Sequence, residues 1–201
     1  MFTGIVSEMG EVVAVKPHAA NLQRIKIACA IPRSPIADGA SISCSGVCMT
    51  VVGSGQEDGH AWFAVDAAAE TLAVTTVGRW KHGMRINIER SLQVGDELGG
   101  HMVSGHIDGL ATVIGRENMT EMARLALRAP PPLARFIAPK GSVALDGVSL
   151  TVNAIEDDTF SVLIIPHTMK VTTLGNLRTG EDVNLEIDQM ARYAARLMES
   201  R

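Results

Sequence analysis

The chain has 201 residues, a formal net charge of −4, 46% hydrophobic residues and only 3% aromatic ones. That length builds one large domain or two small ones around an aliphatic core. The acidic balance and scarce aromatics exclude a nucleic-acid partner, which calls for a basic groove and stacking platforms. Met1-Phe2-Thr3-Gly4 has no basic-then-apolar leader, and no apolar run reaches the length of a membrane span. The three cysteines, Cys29, Cys44 and Cys48, then read as free thiols in a reducing compartment. A cytoplasmic protein with no membrane partner is predicted.

Apolar residues alternate with polar or small ones along much of the chain. Ile25, Ile27 and Ile31 do so first, then Ile86 and Ile88, Val143 and Leu145, and finally Val183, Leu185 and Ile187. Period two is the mark of half-buried strands. Ser54-Gly55, Asp58-Gly59 and Gly175-Asn176 predict turns between them. Short strands and frequent turns point to an antiparallel sandwich or barrel. Two stretches break the rhythm. Pro130-Pro131-Pro132 before Leu133 to Ile137 predicts a loop entering one or two helical turns. Gln189 to Glu199 predicts a terminal helix with Ala191, Ala194, Leu197 and Met198 on one stripe, packed on its own barrel or on a partner subunit.

The chain repeats itself. Gly46, Cys48 and Thr50 match Gly147, Ser149 and Thr151 at an offset of 149 − 48 = 101. Gly4, Val6 and Val12 match Gly105, Ile107 and Val113 at the same offset. Thr71 to Gly78 match Thr168 to Gly175 at 168 − 71 = 97, so one loop is shorter in the second half. Arg85 to Glu89 match Asp182 to Glu186 at that second offset. The chain is two copies of one β unit, each long enough for about six short strands, plus a tail helix.

Cys48 alone reads as a small buried hydrophobe and Ser149 alone as a strand hydroxyl. Their equivalence raises both. Residues i and i+2 of a strand share a face, so Cys48 with Thr50, and Ser149 with Thr151, present two small polar groups each. Asp146 stands where the first repeat has Ser45; it is either a charge in one pocket or the first residue of an Asp-Gly turn. His101 and His106 lie at the junction of the repeats and suit proton transfer near neutral pH or a structural role. With no third ligand nearby they do not predict a metal site. Lys140 could face an anion. Ile165-Pro166-His167-Thr168 places proline at a strand end, where barrel ligands tend to sit.

Met1 to Val6, Gly99-Gly100-His101 with Gly105-His106, Asp146 to Val152, Ile165 to Thr168 and Val183 to Asp188 together resemble the riboflavin synthase family over essentially the whole chain. The resemblance implies two tandem six-stranded antiparallel Greek-key barrels, residues 1–98 and 99–187, with a C-terminal trimerisation helix, 188–201. It implies a homotrimer whose active site lies between the first barrel of one subunit and the second barrel of its neighbour, with lumazine synthase as a further candidate partner. The implied reaction dismutates two molecules of 6,7-dimethyl-8-ribityllumazine, without metal or organic cofactor. Ser149, Thr151, Asp146, His106 and Lys140 would then line the second-barrel pocket, with His101 in the catalytic set. Cys48 and Thr50 would line the first, and Phe2 at the mouth would help close the site. The backbones of Gly4, Ile5 and Val6 and of Gly105 and Ile107 would cradle the rings, beside Met49 and Leu150. Asp66, Ala67, Ala68, Ala69, Glu70 and Thr71, and Leu163, Ile164, Ile165, Pro166, His167 and Thr168, would frame pyrimidine and ribityl groups.

The chain departs from the family pattern at Ser45, where Asn is usual, and at Ala67 to Ala69, where bulkier residues are usual; both bear on affinity in the first pocket. Three rivals compete. A non-catalytic lumazine- or flavin-binding antenna protein of the same fold tends to lose the catalytic set, whereas Cys48, His101, His106, Lys140, Asp146 and Ser149 are all present here. An OB-like nucleic-acid barrel is opposed by the charge. A flavin reductase barrel would need a nicotinamide domain, and no G-x-G-x-x-G unit follows a strand.

Overall fold

Each repeat closes into its own antiparallel barrel. The computed structural model describes residues 1–19, 21–30, 36–57 and 59–199. The first barrel comprises β1 (Glu8–His18), β2 (Leu22–Cys29), β3 (Ser41–Cys44), β4 (Val47–Glu57), β5 (His60–Ala68) and β6 (Arg85–Arg90). The second comprises β7 (Gly109–Asn118), β8 (Ala123–Arg128), β9 (Ser142–Leu145), β10 (Val148–Glu156), β11 (Thr159–Ile164) and β12 (Asp182–Ile187). Around the first barrel the order is β1-β2-β5-β4-β3-β6, and the second has the same cyclic order of corresponding strands. The chain passes from β2 beyond the β4–β5 pair to β3, which is Greek-key wiring. Closure pairs every strand on both sides, so neither sheet offers an open edge.

The period-two residues fill the two interiors. Ile25, Ile27, Ile86 and Ile88 are buried in the first core, and Val143, Leu145, Val183, Leu185 and Ile187 in the second. Ile31 and Asp58 lie outside the described residues. Each barrel bends at the same two bulges, one on its first strand (Val12/Ala14, Val113/Gly115) and one on its fourth (Val51/Gly53, Val152/Ala154). The drop in offset from 101 to 97 is taken up in one hairpin: Val51 pairs with Val65 and Val152 with Val162. Ser54-Gly55, expected as a turn, is instead inside β4. Gly55 lies against Trp62, where an added Cβ would stand 3.0 Å from the ring, so this glycine marks close approach rather than chain reversal.

Short helices punctuate the barrels. α1 (Ala69–Val74) and α3 (Pro166–Val171) follow the fifth strand of each, and each runs into a single 3₁₀ turn, Thr76–Arg79 and Thr173–Asn176. The expected Gly175-Asn176 turn is the end of the latter. The helical turn expected over Leu133 to Ile137 is α2 (Pro131–Ala134), which starts earlier, on the second and third prolines in its first turn, and α4 (Gln189–Glu199) is the predicted tail helix. Arg192 bonds Asp108 at 2.7 Å, and Arg135 of the segment after α2 pairs with Glu199. No α4 side chain is buried; Met190, Tyr193, Leu197 and Met198 are all more than 60% exposed. Among the described residues no helix is long and apolar enough to cross a membrane.

The barrels meet along a seam with local twofold character. Ser45-Gly46 and Asp146-Gly147 form equivalent tight turns; Ser45 and Asp146 have φ of 44° and 45°. Two buried asparagines cross between the barrels. Asn87 donates to the Asp146 carbonyl (2.9 Å) and accepts from the Thr173 amide (2.8 Å). Asn184 donates to the Ser45 carbonyl (2.8 Å) and accepts from the Thr76 amide (2.8 Å). Each buried bond of this kind is worth about 1 kcal/mol, and leaving its partner unpaired costs more.

Candidate active site

The segments ahead of the two barrels exchange partners. Glu89, on β6, accepts from the Thr3 amide (2.6 Å), the Thr3 hydroxyl (2.7 Å) and the Gly4 amide (3.0 Å). Glu186, on β12, accepts from the Ser104 amide (2.7 Å), its hydroxyl (2.7 Å) and the Gly105 amide (2.9 Å). Each arm is held by its own barrel yet lies on the other. The Gly4 carbonyl accepts from the Ser149 amide, and the Gly105 carbonyl from the Cys48 amide, both at 2.8 Å. Val6 packs on the second core and Ile107 on the first. Both glycines have positive φ, and a Cβ on either would approach the Ser149 or Cys48 Cβ to 2.5 or 2.6 Å. Only glycine fits these contacts.

Ser149 sits on β10 with its hydroxyl oxygen 2.7 Å from His101 Nδ1. The bond ties the junction between the repeats to the second barrel across 48 residues of sequence. The His101 amide donates to the Thr3 carbonyl at 3.1 Å, so the same arm also places the histidine backbone. Burial lowers the basicity of the His101 ring, and nearby Asp188 partly opposes this. The ring is therefore held toward its neutral form, able to exchange a proton with the Ser149 hydroxyl. Its Nε2 is buried with no hydrogen-bond partner. Unpaired buried polar atoms are costly and concentrate where function requires them.

The other half-site is related but chemically different. Cys48, on β4, is half-buried beside Phe2, Val103 and Ala144. Thr50, two residues on, is exposed, as is Thr151 in the second half-site. The crossed arm brings exposed His106 to this side, directly after Gly105. His106 therefore belongs with Cys48 and not, as expected, with Ser149; Ile5 takes the equivalent place beside Ser149. The His-x4-His pair is split between the two half-sites. Among the described residues no three His, Cys, Asp or Glu side chains gather as a metal set.

Several expected contacts are corrected. Asp146 does not share the pocket of Ser149. Its carboxylate accepts from the Asn184 amide (2.9 Å) at the seam, where burial pushes its pKa up to about 7. Ser45 occupies the equivalent place, so its departure from the family pattern bears on the seam rather than on the first pocket. A groove of about 670 Å³ along that seam is lined by Ser45 and Asp146 but by neither Cys48 nor Ser149. Phe2 is wholly buried in an antiparallel bridge with Val103, so it packs beneath the arms and is no lid. Met49, Leu150, Ala67 and Ile164 point into the barrel cores and can offer a ligand only backbone. Lys140 is exposed, with φ of 67°, in the loop where the first repeat has Gly39.

The strand-end segments remain available to a ligand. Ala68, Ala69 and Glu70 are exposed and Thr71 half-buried at the β5–α1 corner; Ile165, Pro166 and His167 are exposed, with Leu163 and Thr168 half-buried, at the β11–α3 corner. Asp66 is tied by two 2.8 Å bonds to Arg24, which holds its carboxyl below the usual range. Glu89, Glu186, Asn87 and Asn184 are not among the expected site residues, although Asn184 and Glu186 lie in the Val183 to Asp188 stretch that carries the resemblance. The signal that singles out all four is the repeated Asn-x-Glu of β6 and β12.

Two barrels of one topology, each bearing a polar strand face under a borrowed arm, define a protein with two related small-molecule sites. The family model for the lumazine binding domain matches residues 3–91 and again 104–188. The chain belongs to the riboflavin synthase family: it is 51% identical to the riboflavin synthase of Brucella abortus (strain 2308) over 198 residues, 98% of each chain. The riboflavin synthase of Mycobacterium bovis (strain ATCC BAA-935 / AF2122/97) is 39% identical over 203 residues, 100% of this chain and 99% of the relative. Among solved structures, LumP complexed with riboflavin superposes with a TM-score of 0.80 at 26% identity, covering 93% of this chain and 99% of that one. LumP complexed with 6,7-dimethyl-8-(1′-D-ribityl) lumazine gives 0.77 at 26%, with the same coverage.

Proposed function

We propose that the chain is a riboflavin synthase. It converts two molecules of 6,7-dimethyl-8-ribityllumazine into riboflavin and 5-amino-6-(D-ribitylamino)uracil by moving a four-carbon unit from one to the other. The observation that carries this reading is the Ser149–His101 pair, 2.7 Å apart, in one of two related half-sites. A binding protein gains nothing from such a pair, whereas addition to a lumazine ring needs a hydroxyl whose proton can be taken away.

The substrate's chemistry sets the requirements. One lumazine must lose a proton from its 7-methyl group, leaving a carbanion delocalised over the ring. The other must accept a nucleophile at C7. Holding the two flat rings in contact can supply up to roughly 10 kcal/mol of the barrier. His101, kept neutral by burial, takes the Ser149 proton as that oxygen, or a water it orients, adds at C7, and returns it when the adduct collapses. Cys48, Thr50 and His106 receive the second lumazine. Thr151 and Lys140 flank the first, and the two strand-end corners meet the pyrimidine and ribityl groups.

The assembly follows the same reading. The Ser149 half-site of one subunit faces the Cys48 half-site of the next in a cytoplasmic homotrimer, with the uncovered apolar face of α4 as its contact. The chain divides into units 1–98, 99–187 and 188–201, the leading arm of each barrel being lent to the other. Association with lumazine synthase would channel the substrate. The test is incubation of the purified protein with 6,7-dimethyl-8-ribityllumazine alone. Riboflavin must appear; tight binding without riboflavin would move the protein to the antenna class.

A further inference from the structure

We infer that Glu89, a residue of the first barrel, is a positioning residue for the Ser149–His101 pair on the second. The inference rests on the synthase reading and extends it to a residue that touches neither reacting ring. Glu89 is 6% exposed, and both its carboxylate oxygens are used: Oε1 holds the Thr3 amide and hydroxyl, Oε2 the Gly4 amide. The two carbonyls that follow those amides are themselves engaged. Thr3 C=O accepts from the His101 amide (3.1 Å), and Gly4 C=O from the Ser149 amide (2.8 Å). One carboxylate thus fixes the amides of two consecutive residues, and the carbonyls of those same two residues hold the backbones of both partners.

Packing leaves the arrangement little play. A Cβ on Gly100, beside His101, would stand 2.1 Å from the Thr3 carbonyl oxygen and 2.9 Å from Ser149 Cβ. A Cβ on Gly4 would stand 2.5 Å from Ser149 Cβ. The arm is wedged between the two catalytic backbones, so a shift in its pitch opens the 2.7 Å contact between hydroxyl and ring. Misplacement of about 1 Å can cost a hundredfold in rate. Glu186 makes the same three bonds to Ser104 and Gly105, but that arm ends on the Cys48 amide and carries no equivalent of His101. The two carboxylates are therefore alike in structure and unlike in consequence.

Glu89→Gln keeps the shape but opposes an amide N–H₂ to one of the arm's donors. Its kcat should fall at least tenfold with KM changed less than threefold. The loss should vanish in a Ser149→Ala background, because a residue acting through the pair has nothing left to position. Glu186→Gln should instead raise KM and remain additive with Ser149→Ala. Thr3→Val, which strips one of the three donors, gives a milder version of the Glu89→Gln pattern and serves if that variant folds poorly. An activity-independent readout is the titration of the His101 ring by NMR in the intact protein. Glu89→Gln should move its midpoint up toward the ordinary histidine value as the ring loses its buried seat, and Glu186→Gln should leave it unmoved. Full additivity of Glu89→Gln with Ser149→Ala, or an unmoved His101 titration, overturns the assignment. A wild-type protein that makes no riboflavin overturns the synthase reading instead, and the NMR comparison still decides the positioning.

Discussion

Gly46 and Gly147 face each other across the seam so closely that a Cβ on either would stand 2.7 Å from the other's amide nitrogen. Both have φ near +80°. The two tight turns therefore act as one joint between the barrels, and both space and conformation restrict them to glycine. Gly46→Ala or Gly147→Ala should each destabilise the protein by about 2 kcal/mol or more. Urea unfolding of the two variants checks this, and a double variant that loses less than the sum of the two would confirm that they share one contact.

Asp146 sits in that joint as a buried acid. Its pKa is raised from 3.8 to about 7 by burial, with the Asn184 amide bond only partly opposing. The folded protein holds this proton more tightly than the unfolded chain. The penalty of ionising Asp146 is absent below about pH 4, grows as the pH rises, and is complete above about pH 7. Asp146→Asn keeps an acceptor for the Asn184 amide and removes the charge. The variant should be more stable than the parent at alkaline pH, by roughly 1.4 kcal/mol for every tenfold by which folding tightens the carboxyl's hold on its proton. The difference should close as the pH is lowered. Thermal melts across that range measure it.

The Ser149–His101 pair makes its own prediction. Ser149→Ala should lower kcat by about a hundredfold or more while lumazine still binds. Since burial depresses the His101 pKa, the ring stays neutral at pH values where an ordinary histidine is already charged. The acid limb of the kcat profile should therefore fall below the ordinary histidine range, and kcat should be lost only as the pH drops through that depressed value. A pH–rate series on parent and His101→Gln separates this ionisation from any other.

The crossed arms predict crossed defects. Gly4→Ala should damage the half-site at Ser149, and Gly105→Ala the half-site at Cys48, although each residue precedes the opposite barrel. Equilibrium titration with riboflavin should find one class of site weakened in each variant and the other retained. Loss at the barrel each arm precedes would contradict the exchange.

Much of this architecture is legible from residues. Ile25, Ile86, Leu145 and Val183 alternate with polar neighbours because the strands have one wet face, and the pairing of Cys48 with Ser149 marks the two half-sites. Ser54-Gly55 misleads because glycine serves both turns and close approach, and only the position of Trp62 distinguishes them. Asp146 is the turn residue that Asp-Gly suggests. The exchange of arms is not legible: Gly4 and Gly105 are equivalent whether each arm folds on its own barrel or on its neighbour. That ambiguity is why His106, adjacent in sequence to the second barrel, is expected beside Ser149 and found beside Cys48. The contact of His101 with Ser149 spans 48 residues and depends on the same crossing.

A synthase of this kind builds one product molecule from two substrate molecules. The direct measurement mixes unlabelled lumazine with lumazine carrying ¹³C in both methyl groups, in equal parts, and reads the mass of the riboflavin formed. Each riboflavin would receive one four-carbon unit from each of two lumazines. Unlabelled, singly contributed and doubly contributed species should then appear in the proportion one to two to one, with one aminouracil released per riboflavin. Riboflavin containing at most one labelled unit, or lumazine bound and unchanged, would contradict the account.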